Sequence, residues 1–229
     1  MKRRGLIALV GFLFVASCSS AEPIDPGDGG DYRFTLTAAD FVDGIDNPWL
    51  PLRPGSRWVY EGGGETIVVE VLHETRVVMG ITATVVRDTV TEQGDLVEDT
   101  FDWFAQDIEG NVWYLGEESV EYRNGEPVST AGSWEAGVDG ALPGIIMPAN
   151  PRTGMAYRQE YYPDEAEDMA EIIRVGDRIT VPFGTFEDVL VIREWTPLSP
   201  RNDELKYFAA LIGLIKESGG AELVEHRSG

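Results

Sequence analysis

The stretch TFDWFAQDIEGNVWYLGEE, residues 100–118, decides how this chain folds. It places two phenylalanines, two tryptophans and a tyrosine on either side of the sequence Asp-Ile-Glu-Gly at 107–110. Asp at the first position and Gly at the fourth favour a type I turn, closed as a three-residue loop by a left-handed glycine. The stretch therefore predicts a β-hairpin with aromatic side chains on both strands.

The predicted hairpin has aromatic residues on both faces, because side chains alternate along a strand. The register set by the turn has these cross-strand pairs: Phe104 with Tyr114, Gln106 with Val112, Asp102 with Gly116, Ala105 with Trp113 and Trp103 with Leu115. A sheet with one wet face would alternate apolar and polar residues cleanly. The hairpin is therefore either buried on both faces, or one face lines a cavity or groove.

The rest of the chain reads as a series of short strands separated by glycine-rich turns. Residues 57–61 and 65–72, for example, are rich in β-branched and aromatic residues and flank Gly62-Gly-Gly64. The sequence predicts a mainly β fold, an antiparallel meander that forms a curved sheet, a half-open barrel or a sandwich. It allows at most one short helix, which the capping pattern of Asp164 and Glu167 places at 164–173.

Residues 132–154 interrupt this strand rhythm with many glycines and prolines. Irregular segments of this length in compact domains are usually functional or disordered. Apolar residues such as Trp134 and Met147 argue against disorder. We therefore expect a packed lid or flap here.

The start of the chain predicts export. Basic residues at 2–4 precede an apolar run at 5–16 that is shorter than the roughly 20 residues of a membrane-spanning helix. Val15-Ala16-Ser17-Cys18 resembles the lipobox of bacterial lipoproteins, which implies a lipid on Cys18; the alternative is an incidental cysteine near an ordinary cleavage site. The predicted parts are a signal peptide at 1–17, a flexible tether at 18–31 and one β-rich domain at 32–229. The expected location is the bacterial cell envelope, with a lipid anchor.

The charge of the chain limits the classes of partner that it can bind. The net charge of −22 becomes −25 once the three basic residues of the signal are removed. Such a field repels polyanions, so we expect no nucleic-acid partner. Solubility outside the cell explains the charge, and a cationic protein partner also fits it.

Few residues of this chain suit catalysis or metal binding. His73 and His226 lie outside any nucleophile motif, and no phosphate-binding glycine loop is present, so we expect no cofactor. Residues 107–111 carry oxygen ligands at alternate positions, as calcium loops do, but lack EF-hand spacing. Carboxylate-dependent hydrolysis remains an alternative, with Glu135 or Asp139 as its actors.

The sequence favours a non-enzymatic, lipid-anchored binding module over that hydrolase and over a calcium-stabilised structural protein. Its ligand would be hydrophobic, a carbohydrate or a protein partner, and no catalytic or metal site is predicted. The candidate contacts are the aromatic and apolar residues Trp103, Phe104, Trp113, Tyr114, Trp134 and Met147.

Three segments together resemble a family of exported bacterial proteins of unassigned function. They are GIDNPWLPLRPGSRWVYEG (44–62), EDTFDWFAQDIEGNVWYLGEE (98–118) and GSWEAGVDGALPGIIMPANP (132–151). The resemblance covers about residues 41–225 and implies export without any particular chemistry. More distantly, the run from Pro51 to Tyr60 is similar to the start of the meander in envelope lipoproteins with half-open β-barrels, which concerns the fold alone.

Overall fold

Fifteen antiparallel strands form one sheet in the computed structural model, which describes residues 32–33, 35–199 and 203–229. The strands are β1 Arg57–Gly62, β2 Glu65–Val78, β3 Ile81–Glu92, β4 Asp95–Gln106, β5 Val112–Arg123, β6 Glu126–Ser129, β7 Trp134–Glu135, β8 Leu142–Met147, β9 Ala156–Arg158, β10 Glu160–Tyr161, β11 Met169–Val181, β12 Gly184–Trp195, β13 Asp203–Ala209, β14 Gly213–Glu217 and β15 Glu222–Arg227. Within the described ranges the one helical element is a 3-10 turn at Ala38–Asp40. The prediction of a mainly β, antiparallel curved sheet is confirmed.

Two meanders make up most of the sheet. Strands β1 to β5 pair in sequence order, and so do β11 to β15. The first strand of one meander pairs with the last strand of the other, with Trp58 opposite His226. The sheet therefore depends on contacts between residues that are far apart in the chain.

The two ends of the sheet meet in one short segment, residues 156–161. Its first half, β9, pairs with β11 at one end, and its second half, β10, pairs with β8 at the other. Gln159 alone separates the two halves, and its backbone N–H donates to the carbonyl of Asp168 at 2.8 Å. The sheet is not closed into a barrel by one continuous ladder, but it curves until its ends are neighbours.

The β4–β5 hairpin has the predicted register near its turn. Phe104 lies opposite Tyr114, Ala105 opposite Trp113 and Gln106 opposite Val112. A bulge on β5, where Leu115 and Gly116 together lie opposite Trp103, then shifts the pairing by one residue. Asp102 consequently lies opposite Glu117 instead of Gly116.

Gly116 accounts for the position of this bulge. Its φ is +134°, and a Cβ atom there would lie 2.3 Å from the carbonyl oxygen of Trp134 in β7. Only glycine allows so close an approach of the two backbones. The short strand β7 pairs with β5 at this point, with Gly116 opposite Glu135.

The helix predicted at 164–173 is wrong. Residues from Met169 onward belong to β11, which pairs with β9 on one side and β12 on the other. The backbone N–H of Asp164 does donate to Glu167 Oε1 at 3.0 Å, but this contact closes a turn in which Asp164 has a φ of 66°. Pairing on both sides thus overrides the local helical pattern.

The irregular lid predicted at 132–154 is also wrong for its middle part. Residues 142–147 form β8, which pairs with β5 and with β10. Gly144 is needed there because a Cβ atom would lie 2.3 Å from the backbone of Gln159. The glycine at position 144 is therefore explained by the close packing of two strands and does not indicate an irregular loop.

The three segments of the family resemblance meet at the turn end of the hairpin. Gln106 Oε1 accepts the backbone N–H groups of Asp46 and Asn47. The buried side chain of Asn47 donates to the carbonyl oxygens of Gly110 and Pro148. These contacts hold the segment before β1 against the hairpin.

In the described part of the chain, no helix is long and apolar enough to cross a membrane.

Candidate functional site

A pocket of about 170 Å³ lies on the concave side of the sheet, between the two meanders. We call it the concave pocket. It is lined by Leu50, Leu52, Trp58, Tyr60, Val69, Val86, Asp88, Asp102, Phe104, Ile146, Glu194, Lys206, Phe208, Gly213 and Leu214. Its volume is below the roughly 300 Å³ that drug-sized ligands usually fill. It therefore suits a small molecule or one end of a larger one.

Strand β1 supplies part of the aromatic wall. The indole nitrogen of Trp58 donates to the carbonyl of Ile212 at 2.8 Å, and the hydroxyl of Tyr60 donates to the carbonyl of Leu214 at 3.0 Å. Because their polar atoms bond to the backbone before and within β14, the two rings offer mainly carbon to the pocket. A ligand here would meet an apolar surface.

Two carboxyl groups line the same pocket, from neighbouring strands. Asp88 in β3 and Asp102 in β4 are half-buried, and both belong to the lining. Burial raises the pKa of Asp88 to about 7, with the nearby carboxylate of Glu98 adding to it. Burial also raises the pKa of Asp102 to about 7, although its hydrogen bond to Tyr114 opposes the shift. Both groups are therefore poised between the neutral and ionised forms near neutral pH.

Tyr114 lies between two of the buried carboxyl groups. Its hydroxyl oxygen is 2.6 Å from Asp102 Oδ1 and 2.9 Å from Glu117 Oε2. A phenol carries a single proton and can donate to only one of them. Both contacts are satisfied when the other carboxyl is protonated and donates to the phenol oxygen. Burial and the charge of Asp102 raise the pKa of Glu117 to about 7, which agrees with one shared proton at neutral pH.

Lys206 is the cation among the residues that line the concave pocket, and it already has partners. Its Nζ lies 2.8 Å from Glu194 Oε2 and 3.6 Å from Glu217 Oε1. Burial alone would lower the pKa of Lys206, but these two carboxylates raise it above its ordinary value. Lys206 therefore stays charged and forms its ion pairs with Glu194 and Glu217, while its charge also opposes the rise in the pKa of Asp88 and Asp102.

Behind the pocket wall, Trp134 links Tyr114 to a further buried carboxyl group. The indole nitrogen of Trp134 donates to Glu160 Oε2 at 2.8 Å. Its ring meets the edge of Tyr114 with centroids 5.3 Å apart. Burial, aided by the charge of Asp168, raises the pKa of Glu160 well above its ordinary value. The interior therefore holds a chain of acidic groups joined through aromatic donors.

Of the six predicted contact residues, Phe104 lines the concave pocket. Tyr114 stacks on Phe104 with centroids 4.8 Å apart, and Trp134 packs against Tyr114 as described. Trp103 points to the opposite face, where the guanidinium of Arg76 lies 3.8 Å from its ring centroid in a separate surface depression. The structure thus brings three of the six together and places Trp103 elsewhere.

The other two predicted contacts, Trp113 and Met147, are buried and lie outside the lining of the concave pocket. Trp113 Nε1 donates to Asp107 Oδ2 at 2.8 Å, and Met147 lies opposite Val112 in the β5–β8 pair. Cys18, the predicted lipid attachment site, lies outside the described residues.

The oxygens of the Asp-Ile-Glu-Gly turn hold their own loop together. Asp107 Oδ1 accepts the backbone N–H groups of Glu109 and Asn111, and Oδ2 accepts the side chains of Asn111 and Trp113. Gly110 closes the loop with a φ of 95°. Over the ranges that the structure describes, no group of three or more His, Cys, Asp or Glu side chains could hold a metal ion.

The two carboxylates named for hydrolysis lie outside the concave pocket. Glu135 Oε2 pairs with Arg76 at 2.6 Å, and Asp139 is exposed in a turn with a φ of 50°. Sequence reasoning missed Asp88, Lys206 and the wall from β1. Alternation did place Asp102 on the same face as Phe104, which was the one available signal.

Comparisons with known proteins add little to this geometry. No protein-family model matches the chain. The comparison with curated proteins found no match. A crystal structure of a "putative lipoprotein" from Parabacteroides distasonis ATCC 8503 matches with 15% sequence identity, covering 79% of this chain and 99% of that chain, at a TM-score of 0.34. A likeness this weak carries no argument about the function of this chain.

Proposed function

We propose that this protein is a non-enzymatic binding module of the bacterial cell envelope that holds a small, largely apolar ligand in the concave pocket. The observation that carries the proposal is the pocket itself. It is an accessible space on the concave side of the sheet, lined by aromatic and aliphatic side chains with a few buried polar groups. Concave apolar sites with a few fixed polar groups are the usual form of small-molecule sites.

The anchor is the second part of the proposal. Residues 15–18 match the small-small-cysteine pattern of a lipobox, and a polar tether follows them. A lipid on Cys18 would hold the domain at the membrane, and the tether at 18–31 would give it reach. The excess of acidic residues keeps the domain soluble at that surface.

Replacing Phe104 with alanine tests the binding site. The neutral probe 2-phenylethanol should bind the purified chain in isothermal titration calorimetry, and Phe104→Ala should weaken it by about tenfold. Phe101→Ala is the matched control, because Phe101 is on the same strand but packs under Arg87 on the other face. Equal affinity in all three proteins, or no binding by any of them, would rule the site out.

A carboxylate-dependent hydrolase is the second candidate, and one observation favours it. Asp88 and Asp102 face an accessible pocket, and burial raises the pKa of each to about 7, which is where a general acid at neutral pH needs it. If the double variant Asp88→Asn, Asp102→Asn hydrolyses every tested envelope glycan as the native chain does, this candidate fails.

A further inference from the structure

Asp88 has an acceptor that the fold leaves unused. Its Oδ1 atom is completely buried and has no hydrogen-bond partner among the described residues. Asp88 lies in the middle of β3, opposite Val69 on one side and Thr100 on the other, and its side chain lines the concave pocket. A buried acceptor without a donor costs free energy that a donating ligand would recover.

Among the residues that line the pocket, no cation forms an ion pair with Asp88, although the charge of Lys206 acts on it. Four charged residues line the concave pocket, namely Asp88, Asp102, Glu194 and Lys206. Lys206 is held by Glu194 and Glu217, and Glu194 also accepts the side-chain amide of Gln159 at 2.8 Å. The lining therefore keeps an excess of carboxyl groups over cations.

Aromatic side chains line the same space. Trp58, Tyr60, Phe104 and Phe208 all line the pocket. The polar atoms of Trp58 and Tyr60 are bonded to backbone carbonyls, and the ring of Trp58 is stacked on His226 with centroids 5.0 Å apart, so the parts of the two rings that line the pocket are carbon. Aromatic faces attract cations and also pack well against apolar groups. The aromatic part of the lining thus suits the body of an apolar molecule, and the carboxyl groups in the same lining suit a positive charge on it.

We propose that the concave pocket binds a small organic amine, with its ammonium group at Asp88 and Asp102 and its apolar part against Phe104 and the β1 aromatic residues. This inference rests on the proposed function, since it names the ligand class of the same site. Burial makes a negative charge on either carboxyl costly, and a bound ammonium group would offset that cost. The small volume favours a compact amine over a long-chain one.

Three probes of matched shape test the charge requirement. Calorimetry on the purified full chain would compare 2-phenylethylamine, which is cationic, with neutral 2-phenylethanol and anionic 3-phenylpropionate. We expect the amine to bind at least about tenfold more tightly than the alcohol, and the acid to bind most weakly. Asp88→Asn should remove the tighter binding of the amine relative to the alcohol, which is measured as the ratio of the two affinities in the same variant. Asp99→Asn is the matched control, because Asp99 pairs with Arg87 and does not line the pocket.

The outcomes separate this inference from the proposed function. The proposal of an amine ligand is refuted if the alcohol binds as tightly as the amine, or if the amine still binds more tightly than the alcohol in Asp88→Asn. The proposal of an apolar binding site then remains. If no probe binds, both proposals fall. Should Asp88→Asn not fold, as judged by circular dichroism, Asp102→Asn replaces it as the test variant. If neither variant folds, the ranking of the three probes on the native chain decides between the two proposals.

Discussion

The hydroxyl oxygen of Tyr114 lies 2.6 Å from Oδ1 of Asp102, across the β4–β5 hairpin whose turn set the register. This contact joins a wall of the concave pocket to the buried carboxyl groups behind it. Because the same phenol also contacts Glu117, the charge state of one carboxyl depends on the other.

Removal of this hydroxyl should destabilise the fold. Tyr114→Phe leaves Asp102 and Glu117 without their shared partner, and we expect the free energy of unfolding to fall by about 1–3 kcal/mol. Urea unfolding followed by tryptophan fluorescence measures it. Tyr122→Phe is the control, because it makes the same change further along β5. An equal loss in the two variants would contradict the role assigned to Tyr114.

Stability should decrease as the pH rises towards and through 7. Burial raises the pKa of Asp88, Asp102 and Glu117 to about 7 in the folded chain. Their pKa in the unfolded chain is about 4. Between these values the folded chain binds more protons than the unfolded chain, so the free energy of unfolding falls with increasing pH. The contribution is complete below about pH 4 and is lost as the pH rises through about 7.

Urea unfolding at about pH 5.5 and about pH 8.5 would measure this dependence. Each group contributes at most about 1.4 kcal/mol per pH unit. Asp102→Asn should reduce the slope, whereas Asp139→Asn should not, because Asp139 is exposed in a turn. A native chain that becomes more stable over this range would show that the buried carboxyl groups do not dominate.

The close approach at Gly116 predicts a large effect for a small substitution. Gly116→Ala would place a Cβ atom 2.3 Å from the carbonyl oxygen of Trp134, so β7 must move away from β5. We expect a loss of stability of more than about 2 kcal/mol. Gly94→Ala controls for backbone strain alone, because Gly94 has a φ of +93° with nothing within 4 Å of a Cβ atom. Thermal unfolding should separate the two variants, and similar midpoints would refute the clash.

The lipid anchor predicts where the protein is found in cells. The native chain should sediment with membranes and carry the mass of a lipid on Cys18, whereas Cys18→Ser should remove that mass and release the mature domain. Membrane fractionation and intact mass spectrometry would measure both effects. Ser19→Ala, the neighbouring change, should behave like the native chain. Membrane association that survives in Cys18→Ser would argue for an incidental cysteine.

Local chemistry was enough to predict the hairpin and the fold class. The Asp-Ile-Glu-Gly turn constrains the adjacent pairs, so Phe104 opposite Tyr114 followed from spacing alone. The shift beyond Trp103 did not, because it depends on the carbonyl of Trp134 lying against Gly116. Likewise, the helical pattern at 164–173 did not predict the structure, because β11 pairs with a strand on each side. A local sequence pattern contains no information about these distant partners.

The site was predictable only in part, for the same reason. Alternation showed that two faces of the hairpin were aromatic, and it placed Asp102 beside Phe104 on one of them. Other parts of the lining come from β1 and β13, which are more than 40 residues away from Asp102 in the chain in each direction. Whether Asp88 or Lys206 faced that space depended on how the two meanders curve towards one another.

The segment that contains Gln159 also affects how readily the protein aggregates after proteolysis. A sheet with two free edges offers two templates for pairing with another molecule. Here the segment 156–161 covers part of both, since β9 pairs with Met169–Glu171 of β11 and β10 pairs with Leu142 and Pro143 of β8. A protease cut at Gln159, or a substitution that loosens this segment, would uncover these parts of both edges in one event. Aggregation should therefore begin abruptly with damage to these six residues rather than gradually with global unfolding.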